Sequence, residues 1–208
     1  MITLKPGKFY FHSVPKEDFM ADIERLSKEM TESYKKSNVT MFSNDLALPS
    51  RSEVIGILSD IRKLFFPAYF DAEELSLGEE NFIKSLLSSI HEKVRRQVLL
   101  AMSFNGNGQN ADKANAVTDD FMNSLPSVHA MLLKDIDATF EGDPAAQSKE
   151  EIIFSYPGFY AIFVYRIAHL LYIHKVPFVA RMMTEHAHGK TGIDINPGAT
   201  IGDYFFID

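Results

Sequence analysis

The chain has 208 residues, enough for one large domain or two small ones, and its 46% hydrophobic and 24% charged residues are ordinary for a globular chain with a core. A net charge of −7, with no local run of Lys or Arg to reverse it, argues against nucleic acid and anionic membrane as partners, since both demand a basic footprint. The absence of cysteine removes disulfides, thiolate metal sites and a cysteine nucleophile together, and it fits a cytoplasmic protein.

Residues 1–15 form an N-terminal segment with no apolar run that could serve as a signal-peptide core. Phe19, Ile23, Leu26, Met30 and Tyr34 then recur at helical spacing, with Glu17 and Asp18 at the start and Lys35 and Lys36 at the end, the charge order that suits a helix dipole. Ser50 to Glu53 reads as a capping box opening the stripe Val54, Ile57, Leu58, Ile61, Leu64 and Phe65, which Pro67 stops. Ser76 to Glu79 reads as a second capping box before Phe82, Leu86, Ile90, Val94 and Val98, and the Gly106–Gly108 loop ends that stripe. Further helices are predicted over 112–125, 127–140, 158–174 and 178–188. The most apolar stretch, 159–173, carries Arg166 and His169 and is too short to span a bilayer. Each stripe must bury itself against another helix, so the pattern predicts an α-helical domain over residues 16–188.

After Gly189 the periodicity changes. Ile195, Ile201 and Ile207 lie six residues apart with Gly198 and Gly202 between them. A repeat of six is what a parallel β-helix requires, with one inward apolar residue per short strand and small residues at the corners. On periodicity alone, a loop with unrelated isoleucines stands level with that reading. Repeat structures need about three or more repeats to bury a core, so 189–208 is expected to be poorly anchored, with its isoleucines wet.

Most polar constellations read as structural. Gly189-Lys190-Thr191 lacks the earlier glycine of a phosphate-binding loop, because Thr184 stands there. Glu185, His186 and His188 point to different helix faces and lack a metal-binding pattern. Arg166 and His169 read as partly buried groups satisfied by hydrogen bonds. Asp143 before Pro144 reads as a helix start, with aspartate at the N-cap and proline in the first helical position. Asp194 and Asp208 flank the six-residue repeat and, taken singly, are ordinary solvated aspartates.

The last third of the chain carries Gly142-Asp143-Pro144-Ala145, Tyr156-Pro157-Gly158-Phe159, Tyr165-Arg166-Ile167-Ala168-His169 and Thr191-Gly192-Ile193-Asp194-Ile195, followed by Pro197-Gly198-Ala199-Thr200-Ile201-Gly202 and Phe206-Ile207-Asp208. In order and spacing these pieces resemble the serine acetyltransferase family. The resemblance implies a mainly α fold: a helical N-terminal domain feeding, from residue 189, the first strands of a left-handed parallel β-helix, in trimers or dimers of trimers. It implies transfer of the acetyl group of acetyl-CoA, as cosubstrate and without a metal, to the hydroxyl of L-serine in cysteine biosynthesis. L-cysteine is an implied inhibitor, and O-acetylserine sulfhydrylase an implied partner.

Residue by residue, Asp194 matches the family's aspartate that orients a catalytic histidine. Asp208 matches the acid beside that histidine, and Asp143 the acid of the helical domain that reaches the serine site. The histidine itself is expected just after Asp208, and most of the acetyl-CoA site later still, so the 208 residues alone are expected to be inactive. Asn196 stands where many relatives carry histidine. The alternatives are a non-catalytic helical oligomerisation module and a hexapeptide acyltransferase with another acceptor; Asp143 in its GDPA setting favours serine.

Overall fold

The computed structural model describes residues 16–42, 48–70, 78–104 and 111–207. The described elements are helices: α1 (Lys16–Lys35), α2 (Arg51–Phe65), α3 (Pro67–Phe70), α4 (Glu79–Ser103), α5 (Ala111–Gly142), α6 (Lys149–Ser155), α7 (Pro157–Ile173) and α8 (Val179–Thr191). The chain is mainly α, as its periodicity predicts, and no strand occurs among the described residues. Nor is any described helix long and apolar enough to cross a membrane. Two compact units are present, Met1–Leu46 and Ala47–Asp208, so the stretch 192–207 belongs with α2–α8 rather than standing as a unit of its own.

In the first unit, α1 differs from the sequence expectation in one respect. Its apolar stripe is not buried: Phe19, Ile23, Leu26 and Met30 are all exposed. The helix instead carries local ion pairs, Arg25 with Glu29 at 2.9 Å and Lys35 with Glu32 at 2.7 Å. Such pairs each support an isolated helix by about 0.2–0.5 kcal/mol.

The second unit is organised around α7. Phe159, Ala161, Ile162, Phe163, Val164, Ile167, Ala168 and Leu171 are all buried, which places apolar groups on almost every side of the helix. A helix of that kind must be surrounded. α5, α6 and α8 pack against it, while α2 lies against α4 and α8, and α4 against α5.

Local chemistry sets the helix ends. Ser50 caps α2 by accepting from the Glu53 amide at 3.5 Å, but the reciprocal half of the predicted capping box is absent, because the Ser50 amide donates to the buried Gln97 side chain at 2.8 Å. At α4 the N-cap is Gly78, with no side-chain cap; Ser76 lies outside the described residues, as does the 105–110 loop. α8 runs three residues past His188 and ends on Gly192, whose φ of 74° is the left-handed C-terminal stop that glycine adopts without strain.

Two expectations about α5 and its exit need correction. The sequence predicts separate helices either side of Pro126, whereas α5 continues through it. Phe121, Leu125, Val128, Leu132 and Ile136 form one buried face across that position, and Pro126 points to solvent. Burial of that face outweighs the cost of about 3 kcal/mol for an interior proline. Asp143-Pro144 does not start a helix either. It forms a turn after α5, and α6 opens at Ser148, which accepts from the Glu151 amide at 3.2 Å. Ser148 and Glu151 carry the capping-box spacing that marks this start in the sequence.

Phe163 lies at the centre of the second unit, packed edge-on to Phe65. Phe163→Ala should lower unfolding free energy by about 3–5 kcal/mol, whereas Leu133→Ala, at an exposed site on α5, should stay within about 0.5 kcal/mol of the parent. Denaturant titration checks both values.

Candidate functional site

Beyond Gly192 the chain runs back across α5 and α7 without forming a strand. Asn196 makes the first corner. Its backbone carbonyl accepts from the Ala199 amide at 3.0 Å and its side chain from the Gly198 amide at 2.8 Å, a β-turn with Pro197 in the position that suits its fixed φ. Asn196 is therefore a turn-former. Its short amide reaches the backbone two residues on.

The α7 side chains take up this segment one polar group at a time. Nδ1 of His169 lies 2.8 Å from the Pro197 carbonyl. The Tyr165 hydroxyl donates to the Ala199 carbonyl at 2.5 Å and accepts from the Ile201 amide at 3.3 Å. Nη2 of Arg166 donates to the Gly202 carbonyl at 2.8 Å, and the Phe205 amide donates to Asp135 at 2.9 Å. Arg166 and Asp135 are themselves paired through two hydrogen bonds of 2.6 and 2.8 Å, both side chains almost wholly buried. Arg166 and His169 are hydrogen-bonded as expected, though to other groups than each other.

This corrects the expectation of a loose end. Ile195, Ile201 and Ile207 do not stay wet: all three are half-buried against the helical core, together with Phe205. Close approaches fix the fit. A Cβ on Gly142 would meet the Phe206 ring at 2.8 Å, one on Gly158 the Ile207 carbonyl at 2.8 Å, and one on Gly198 the Tyr172 ring at 2.6 Å.

The approach of 206–207 to the start of α7 leaves a cleft of ≈ 220 Å³ lined by Asp143, Tyr156, Gly158, Ile193, Phe206 and Ile207. Asp143 is its charged group. One carboxylate oxygen accepts from the Tyr156 hydroxyl at 2.7 Å, the other from the Ala145 amide at 2.8 Å. The Tyr156 hydroxyl, and then the Ala145 amide, hold this carboxyl below the usual carboxylate range. Such a group is a fixed anion on a concave wall, suited to a ligand ammonium or to several donors.

Of the other candidates, Asp194 is exposed, with the His188 ring 3.9 Å away, which is beyond hydrogen-bond reach. Its neighbour Ile193 lines the cleft; Asp194 does not. Asp208 lies outside the described residues, though Ile207 before it forms part of the wall. The sequence reading assigned no role to Tyr156, although the Tyr-Pro-Gly-Phe motif contains it. It also missed Asp135, whose signal was an arginine on a helix with no other place for a charge.

A second cavity, of ≈ 250 Å³, lies beside Tyr165, Arg166, His169 and Thr200, but the polar groups of α7 there already hold the segment. Among the described residues no cluster of three or more His, Asp or Glu could hold a metal ion.

Anchoring of this kind should appear in amide exchange. The Ile201 and Phe205 amides are expected to exchange slowly, near the rate of the α7 interior. Exchange as fast as that of an unstructured tail would contradict the docked arrangement.

Residues 73–163 match the family described as serine acetyltransferase, N-terminal. A plasmid-borne serine acetyltransferase of Synechococcus elongatus is 39% identical over 171 residues, covering 77% of this chain and 54% of the relative. A Bacillus subtilis serine acetyltransferase is 53% identical over 78 residues, or 38% of this chain and 36% of the relative. The chain thus spans about half or less of the curated relatives it matches. Among solved structures, serine acetyltransferase isoform 3 of Entamoeba histolytica, crystallised in complex with cysteine, superposes with a TM-score of 0.64 at 28% identity, covering 91% of this chain and 64% of that one. In sequence and in fold, this chain matches the N-terminal portion of the serine acetyltransferase family.

Proposed function

We propose that this chain belongs to an enzyme that acetylates the hydroxyl of L-serine, and that the Asp143 cleft receives the amino acid through its ammonium group. The observation that carries the reading is the Asp143 carboxylate itself. It is held from two sides, charged over a wide pH range, and set in a cleft of amino-acid size between the helical body and the segment that follows it. The cysteine bound in the Entamoeba relative supports a small α-amino acid as the occupant. L-cysteine would then compete for the same cleft and inhibit.

Transfer to serine requires more than binding. A hydroxyl is a weak nucleophile near neutral pH, so a base must take its proton as it attacks the thioester of acetyl-CoA. In this proposal Asp194 orients a histidine base and Asp208 joins Asp143 in holding the ammonium. Residues from 189 onward lead into a parallel β-helix, whose later coils bind acetyl-CoA. The six-residue spacing of Ile195, Ile201 and Ile207, and the corner at Asn196, support that continuation. Homotrimers, or dimers of trimers, and association with O-acetylserine sulfhydrylase in the cytoplasm complete the proposal.

Calorimetry with L-serine and L-cysteine tests the cleft directly. Asp143→Asn keeps the shape and removes the charge. It should weaken either ligand by about 10- to 100-fold, the worth of a charge-assisted hydrogen bond of about 1.5–3 kcal/mol. Unchanged affinity in folded Asp143→Asn would rule out this use of the carboxylate.

A pH series separates the role of Tyr156. Because the folded-state pKa of Asp143 is depressed, the carboxylate stays charged as pH falls through the usual carboxylate range, and ammonium binding should fail only below it. Tyr156→Phe removes the larger cause, so the loss of affinity should move to higher pH. An unmoved profile would show that Tyr156 does not tune the site.

A further inference from the structure

The Asp135–Arg166 pair does something that a buried ion pair need not do for stability. Pairs of this kind are often replaceable by apolar groups of similar volume without loss of stability. Here, however, each partner spends a further hydrogen bond on the same short stretch of backbone: Arg166 on the Gly202 carbonyl, Asp135 on the Phe205 amide. Between those two points the chain turns sharply. Tyr204 sits at φ 57°, a left-handed conformation that costs a tyrosine energy and persists only where its surroundings impose it. Asp203 is held outward by Lys134 at 2.6 Å. Immediately after the turn come Phe206 and Ile207, the residues that face Asp143 across the cleft.

We propose that the Asp135–Arg166 pair is a positioning device for the Asp143 cleft: by bracketing residues 202–205 it sets the turn at Tyr204, and through that turn the Phe206–Ile207 wall. Neither charged side chain lines the cleft. Their effect on a ligand is therefore transmitted through backbone, with Gly142 and Gly158 as the surfaces against which the wall is pressed. The affinity part of this inference rests on the proposed amino-acid site; the geometric part does not.

Two variants and two readouts test it in the full chain. Arg166→Lys keeps the charge but cannot make the bidentate pair and reach Gly202 together. Phe205→Pro removes the segment's backbone donor to Asp135, together with the half-buried Phe205 ring, and alters no helix residue, so it serves even if the buried substitution fails to fold. In each folded variant, amide exchange should quicken over 202–207 while α7 stays protected, and L-serine affinity should drop by about 10- to 100-fold, the scale of a misplaced site wall. Tyr165→Phe, which loosens only the 199–201 contacts, should keep affinity within about twofold of the parent.

Quickened exchange with affinity still within about twofold in Arg166→Lys and Phe205→Pro would overturn the proposal. So would a uniform loss of protection across α7 and the segment, which is the signature of a purely structural pair. If the parent chain binds no L-serine, the amino-acid reading falls. The positioning claim is then decided by exchange alone: selective loss at 206 and 207 upholds it, and unchanged protection there sinks it.

Discussion

Helix α7 is buried on almost every side, and the packing of α5, α6 and α8 follows from the need to enclose it. Water cannot be left against Phe163, Ile167 or Leu171, so α5, α6 and α8 close around them. The same helix carries Tyr165, Arg166 and His169, whose polar atoms must find partners once the helix is enclosed. Three of those partners are backbone carbonyls of the segment after Gly192. Enclosure of an apolar helix and docking of a polar segment are thus one event, and the cleft beside Asp143 exists because the docked segment arrives there.

Electrostatics in the two charged sites differ in kind. Asp135 and Arg166 are out of water and neutralise each other, so their charge is not on offer to a ligand. Asp143 lies at the surface, and its hydrogen bonds come from a hydroxyl and an amide, which orient the carboxylate without cancelling its charge. That contrast is why the chemistry is assigned to the cleft and the geometry to the pair. In the proposed site the adjustable element is Tyr156, the N-cap residue of α7, whose hydroxyl donates to Asp143.

Much of the helical fold was legible in residue spacing. The stripes of α2 and α4 are buried along the positions their periodicity marks, because burial and period share one cause. Legibility ended where tertiary contacts outweighed local signals. Pro126 reads as a break, yet the buried face running from Phe121 to Ile136 carries the helix across it. The isoleucine repeat reads as too short to hold a core of its own, and α5 and α7 supply one. Asp143 reads as a cap for a helix that in fact begins at Ser148, and its carboxylate is free to face a cleft because it caps nothing. The candidacy of that aspartate as a site residue is legible only through motif resemblance. Nothing in its own neighbourhood in sequence distinguishes it from a turn aspartate; Tyr156, which does, arrives from the next helix but one in the fold.

The central claim is that the Asp143 carboxylate receives an amino-acid ammonium. A crystal structure of the protein grown with saturating L-serine tests it most directly. The account predicts the ligand in the cleft between Tyr156 and Ile207, its ammonium nitrogen within about 3.2 Å of an Asp143 oxygen. A ligand ordered elsewhere, or bound in the cleft with its ammonium turned away from Asp143, would contradict it.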